Sequence, residues 1–205
     1  MTNPAPVPDP RPDASEIEKA DVAVVQTVAE HRKHPLVRLA GTFSEVADQP
    51  QLTAVCGATL LAGLIGGDPR LTRTGLRMLA CHGLATLGKN LIKNAVDRTR
   101  PYVLVEEGRY EMRPGHSRES ENSSFPSGHT ASAMAVARAV AGEYPSLAVP
   151  AYGAAAAVAA IQVPRCKHYP SDLAGGLLVG LAASAIVDLG FSVLTPDGPK
   201  RADAA

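Results

Sequence analysis

Between Leu52 and Leu194 five long apolar runs alternate with polar breaks, and few folds are open to a chain patterned this way. Leu52 to Gly67 carries no charge and is stopped by Asp68-Pro69-Arg70. Leu71 to about Val96 is a second helical stretch, and Phe125 to Ala141 a third. After the break at Tyr144-Pro145, Ser146 to Val163 is a fourth, and Pro170 to Leu194 is a fifth. About 20 apolar residues cross a bilayer core, which the fifth run satisfies. The runs are built from Ala and Gly rather than Leu and Phe. Gly63-x3-Gly67 and Gly176-x3-Gly180 fit close helix packing. The pattern predicts an all-α, membrane-embedded bundle of about five transmembrane helices over residues 51–195.

Two amphipathic helices are expected ahead of the bundle, over residues 15–50. Ser15 is placed to cap the first, with Glu16 and Glu18 in its opening turn. Ile17, Asp21, Val24, Val25 and Val28 give it a face, and His34-Pro35 ends it. Leu36 to Ala47 reads as the second helix. Residues 1–14, Pro-rich and poor in apolar side chains, are expected to be disordered, and 196–205 form a short polar tail.

Composition narrows the function classes. Net charge is +0, so no whole-chain field favours nucleic acid. Mean hydropathy is only +0.01 because the N-terminus and the polar stretch after Arg100 dilute the apolar runs. Cys56, Cys81 and Cys166 are odd in number and lack metal-ligand spacing, so no disulfide and no metal site are expected. Cys166 lies two residues from His168, a bystander by default and otherwise a thiol whose alkylation would inhibit. The opening residues lack a basic segment followed by an apolar one, which favours an embedded protein over a secreted one.

Three motifs stand at the ends of the runs. Pro126-Ser127-Gly128-His129 opens the third. Pro126 fits the first helical position, and the N–H groups of Ser127 and Gly128 would then offer an anion site. His129 there is placed to protonate an anionic leaving group, although a histidine at a helix start serves as well as a cap. Upstream, Lys93 and Arg100 are seven apart, nearly the same face of a helix. His82 and Lys89 extend that stripe, with His82 reading as a buried hydrogen-bonding residue. Downstream, His168 precedes Asp172 by four, so that Asp172 accepts the Nδ1–H and leaves Nε2 free to attack. Alternate crossings of the five runs bring all three motifs to one face. Tyr102 to Ser124 is long and charged, by default a solvated stretch, with Arg109, Arg113 and Arg118 as the candidates for a lid or headgroup contact.

Lys-x6-Arg-Pro, Pro-Ser-Gly-His and His-x3-Asp, in that order, resemble the type 2 phosphatidic acid phosphatase family, over about Leu52 to Leu194. The resemblance implies a metal-independent, cofactor-free membrane phosphatase acting on a lipid phosphate monoester or pyrophosphate. It implies His168 as nucleophile through a phosphohistidine, Asp172 as its orienter and His129 as acid, then base. Lys93, Arg100, Ser127 and Gly128 would hold the phosphate. The family's third motif carries an Arg where this chain has Gln162, and Arg165, a turn later, is the candidate replacement. The expected setting is a multi-pass protein of the cell membrane with its catalytic face outside the cytoplasm. Oligomeric state is open. A soluble phosphatase or haloperoxidase with the same site, or a lipid-phosphate binder with a decayed one, are the competing readings.

Overall fold

The computed structural model describes residues 14–117 and 119–194. The predicted N- and C-terminal tails therefore lie outside the described residues but for Ala14, as does Arg118. The chain is mostly helical. Ser15 opens α1 (Glu16–Val28) with a reciprocal capping box to Glu18, as its sequence predicts. A 3-10 turn over Ala29–Lys33 leads to α2 (Pro35–Ser44), and a second over Glu45–Ala47 leads to α3 (Gln49–Gly66). Asp68 caps α4 (Pro69–Lys93), accepting from the N–H groups of Arg70 and Leu71. Then follow α6 (Gly128–Glu143), α7 (Ala148–Ala160) and α8 (Pro170–Leu194), after the intervening β1 (Val96–Arg98), α5 (Pro101–Glu107) and β2 (Met112–Pro114).

The all-α expectation needs one correction. β1 and β2 pair antiparallel, Asp97 opposite Arg113, so the polar stretch after Lys93 is a folded element rather than a loose loop. Its backbone donors, no longer helical, find partners across this ribbon. Arg109 is spent on Glu107 and Glu121, and Arg113 lies 3.7 Å from Glu111. Neither reaches the cavity described below.

In the bundle α4, α6 and α8 pack on one another, with α3 against α4 and α7 against α6. The core between them holds Leu52 and Met78 but is otherwise built of small side chains: Cys56, Cys81, Ala85, Ala131, Ala135, Ala139 and Ala183. Small residues let backbones approach closely. A Cβ on Gly176 would fall 2.5 Å from the Ser127 carbonyl oxygen, and one on Gly180 2.6 Å from that of Ala131. The α6–α8 seam that aligns the two histidine motifs therefore depends on these glycines. Gly63 packs equally tightly on Thr72, but Gly67, expected to do the same, is instead the left-handed C-cap of α3 with φ 64°. The three cysteines are free and buried. Cys166 is shut away beside the site, and burial raises its thiol pKa, which argues against ready alkylation.

Large apolar side chains also cover the outside. Ile65, Leu91, Val149, Leu178, Leu189 and Val193 are exposed around the bundle, and Leu36, Leu39 and Phe43 along α2. Among the described residues one helix, Pro170–Val193, is long and apolar enough to cross a membrane, and only 28% of its most apolar window is buried.

Candidate active site

The starts of α3, α6 and α8 and the end of α4 meet around a cavity of about 290 Å³. Residues 47–51 form one wall, and Lys89, Lys93, Arg100, Gly128, His129 and His168 line the rest. The motifs separated in sequence are thus brought to one place. Lys93 and Arg100 converge, but not for the helical reason their spacing suggests. α4 stops at Lys93, and Arg100 arrives after an extended β1. Lys93 Nζ is tied to the Ser123 carbonyl, and Arg100 Nε donates to that of Ser120 at 2.8 Å. These neutral partners leave both charges uncancelled. Lys89, read only as part of a stripe, is a third cation at the cavity, its Nζ near Gly128. His82, from the same stripe, stays out of it and bonds Thr53 Oγ1 at 3.1 Å.

The helix start differs from its sequence reading by two residues. Ser127, not Pro126, borders α6: it is the N-cap, and its Oγ accepts from Thr130 N–H. The Ser127 N–H is not available to an anion, because it donates to the Asp172 carbonyl at 2.9 Å. Gly128 and His129, as the first two helical residues, retain the outward-facing donors. Gly128 lines the cavity.

His168 is buried in the turn before α8. Its Nδ1 lies 2.9 Å from the Ser124 carbonyl oxygen, while Asp172 Oδ2 is 3.6 Å away. A carbonyl only accepts, so Nδ1 carries the proton and Nε2 keeps its lone pair. Asp172 therefore supports the ring at one remove, contrary to the direct bond expected from spacing. Its Oδ2 accepts from Ser124 Oγ at 2.6 Å and Tyr169 N–H at 2.8 Å, and its Oδ1 accepts from Arg98 at 2.7 Å. Burial pushes the His168 pKa down to about 4; Asp172 opposes this, while Arg100 and Lys93 add to it. The ring is neutral at neutral pH, the form a nucleophile requires. The His129 and His168 ring centroids are 6.4 Å apart.

Arg98 and Asp21 were not legible as site residues. Arg98 is 1% exposed and bridges Asp172 and Asp21, each at 2.7 Å, beneath the Tyr169 ring. Asp21 also accepts from Ser171 N–H at 2.9 Å. The available signal was an aspartate on the same face of α1 as buried Val22 and Val25, since a buried carboxylate requires a partner.

Arg165 is held away from the cavity. It bonds Ser44 Oγ at 2.9 Å, pairs with Glu45, and faces a second hollow lined also by Arg32 and Arg38. Gln162 is fully buried and donates to the same Ser44 Oγ, at 3.1 Å, so the family arginine's position is turned inward here. Glu45 and Asp48 bring carboxylate oxygens within 4.8 Å of each other and of a ring nitrogen of His129. With Glu45 already paired to Arg165, Asp48 is the carboxylate left against His129.

The family model for the PAP2 superfamily matches residues 74–192. The lipid A 1-phosphatase of Rhizobium johnstonii is 33% identical over 115 residues, which is 53% of this chain and 47% of that protein. The chain thus spans about half the length of this curated relative. Among solved structures, Aquifex aeolicus LpxE superposes with a TM-score of 0.63 at 20% identity, covering 86% of this chain and 97% of its own. A transmembrane PAP2 type phosphatidylglycerolphosphate phosphatase from Bacillus subtilis gives 0.64 at 22% identity, covering 93% and 90%. At these identities the likeness is one of fold.

Proposed function

Because the chain belongs to the PAP2 superfamily, we propose that it is a membrane phosphatase that removes a terminal phosphate from a lipid through a phosphohistidine. The observation that carries the reading is the cavity itself: two imidazoles and three cations around a space with Gly128 at its edge. Lys89, Lys93, Arg100 and the Gly128 N–H hold the phosphate oxygens and stabilise the charge that builds on them during transfer. His168 Nε2 attacks phosphorus, and the bond to the leaving oxygen breaks as His129 gives that oxygen a proton. In the second step His129 takes a proton from water, the water oxygen attacks phosphorus, and the P–N bond to His168 breaks, releasing phosphate. Asp172, through Ser124 and Tyr169, keeps the His168 turn in place. The cations supply the charge stabilisation that a metal ion supplies elsewhere.

The bundle sits in the membrane with α3, α4, α6, α7 and α8 as spans and the cavity at the outer, non-cytoplasmic boundary. The exposed apolar side chains of these helices and the length of α8 support this reading. A substrate with an acyl body and a phosphate head suits such a boundary, as in the lipid A and phosphatidylglycerol phosphate of the relatives' names. The test is phosphate release by the detergent-purified protein in excess EDTA. Substrates would be lipid A, phosphatidylglycerol phosphate, phosphatidic acid, a polyprenyl pyrophosphate and an aryl phosphate. Release from a lipid that is lost in His168→Ala is the expected result. Release that needs added metal, or survives in His168→Ala, overturns the mechanism.

A further inference from the structure

Two aspartates of this chain stand at helix N-caps, and they behave differently. Asp68 caps α4 in the ordinary way, with its carboxylate on two backbone N–H groups. Asp48 occupies the same position before α3, yet its side chain makes no capping bond. It is turned into the cavity, where Oδ1 lies 2.9 Å from His129 Nε2. The contact is close without the alignment of a hydrogen bond, and His129 Nε2 has no other partner among the described residues. Asp48 lies outside residues 74–192, in the segment that walls the cavity ahead of the bundle.

We infer that Asp48 is the positioning residue of His129: its carboxylate holds the ring in the cavity and favours the imidazolium form that protonates the leaving group. The inference rests on the phosphatase reading above. The physical need is plain from the surroundings. Around His129 in the cavity are Lys89 and Lys93 from α4, Arg100 ahead of α5 and His168 before α8, and the Arg165–Glu45 pair acts on it from outside the cavity. Lys167 also acts on Asp48. An imidazolium among so many cations is disfavoured unless a carboxylate stands against it. Glu45 is engaged by Arg165, which leaves Asp48 as the near one. Burial and then Glu45 push the Asp48 pKa up to about 6, so from neutral pH upward it stands against the ring as a carboxylate. Each catalytic histidine thereby has its own aspartate, one from α8 and one from the segment before α3.

Asp48→Asn keeps a good N-cap residue and removes only the charge. With the lipid substrate, the alkaline limb of its kcat/KM profile is expected to shift down by roughly one pH unit or more, as loss of an opposite charge predicts. The value of kcat falls more than KM rises, and Asp48→Glu restores the limb in part. A uniform loss with an unmoved limb, or an equal loss in Asn and Glu variants, reduces Asp48 to a structural role and overturns the inference. A second readout does not depend on turnover. NMR titration of histidine-labelled protein, with His129 assigned through His129→Gln, should show a lower His129 pKa in Asp48→Asn. An unchanged value overturns the inference even if the enzyme is active. A wild-type protein that hydrolyses none of the lipids removes the phosphatase reading, while the titration still decides what Asp48 does to His129.

Discussion

The two ends of the bundle hold similar numbers of cations and use them in opposite ways. At the end away from the cavity, Arg73 and Arg77 converge on the Glu143 carboxylate, and Arg70 takes the Glu143 carbonyl. Arg77 reaches on to Asp188, which Arg138 also meets at 3.0 Å. At the cavity end, Lys93 and Arg100 are anchored by backbone carbonyls, and no carboxylate forms an ion pair with either among the described residues. Paired cations fasten α4, α6 and α8 together. Unpaired cations leave a field that an anion completes. Formal charge alone does not separate the two clusters; the identity of the acceptors does.

The comparison can be broken most directly at the histidines. His168→Ala should reduce turnover by more than about a thousandfold if the proposed covalent route is right, since that route loses its nucleophile. His129→Ala should cost about 10²–10⁴. Steady-state and burst assays on the lipid substrate check both, and near-normal rates in either variant remove its assigned role. Next in size are the cations. Arg100→Ala or Lys93→Ala should lower kcat/KM by about 10²–10³, as loss of a preorganised charge does. Arg73→Ala at the other end should change it less than about twofold. Equal losses at the two ends would erase the distinction.

Glu143→Gln turns the comparison round. It leaves Arg73 and Arg77 without their carboxylate and should lower Tm by several degrees in detergent while kcat/KM in the remaining folded protein stays near wild type. The smallest effect is the pH dependence contributed by His168. Its pKa is about 4 when folded and near 6.5 when unfolded, so the unfolded chain binds the proton more readily. This contribution to stability is fully present above about pH 6.5 and is lost as pH falls through 4. Thermal melts at stepped pH should show that loss in wild type and less of it in His168→Ala.

Particular residues show how far reading the chain alone carried. Ser15 and Glu18 specify the start of α1 through bonds three residues apart. Each of the five apolar runs appears as a helix, within a few residues of its expected ends, because periodicity and breakers act locally. The arrest of α4 at Lys93 was harder to see: Ile92 and Lys93 suit a helix, and only pairing with β2 recruits 96–98 as a strand. Pro126 was read as the first helical residue, two positions before the true start at Gly128, because the cap is chosen by which side chain reaches Thr130, and Ser127 does.

By itself the sequence singled out the residues proposed to carry the chemistry: His129, His168, Asp172, Lys93 and Arg100, which the fold gathers at one end of the bundle. It did so because motif spacing and helix period are properties of neighbouring residues. Only the tertiary structure decided who their partners are. Asp172 serves Arg98, Ser124 and Tyr169 before His168, Arg165 serves Glu45, and the Ser127 N–H serves Asp172. Asp21 and Asp48 come to the site from far earlier in the chain, one beneath Arg98 and one beside His129. Such contacts join residues with no fixed spacing, and each is selected by competition among all the donors and acceptors that packing brings within reach.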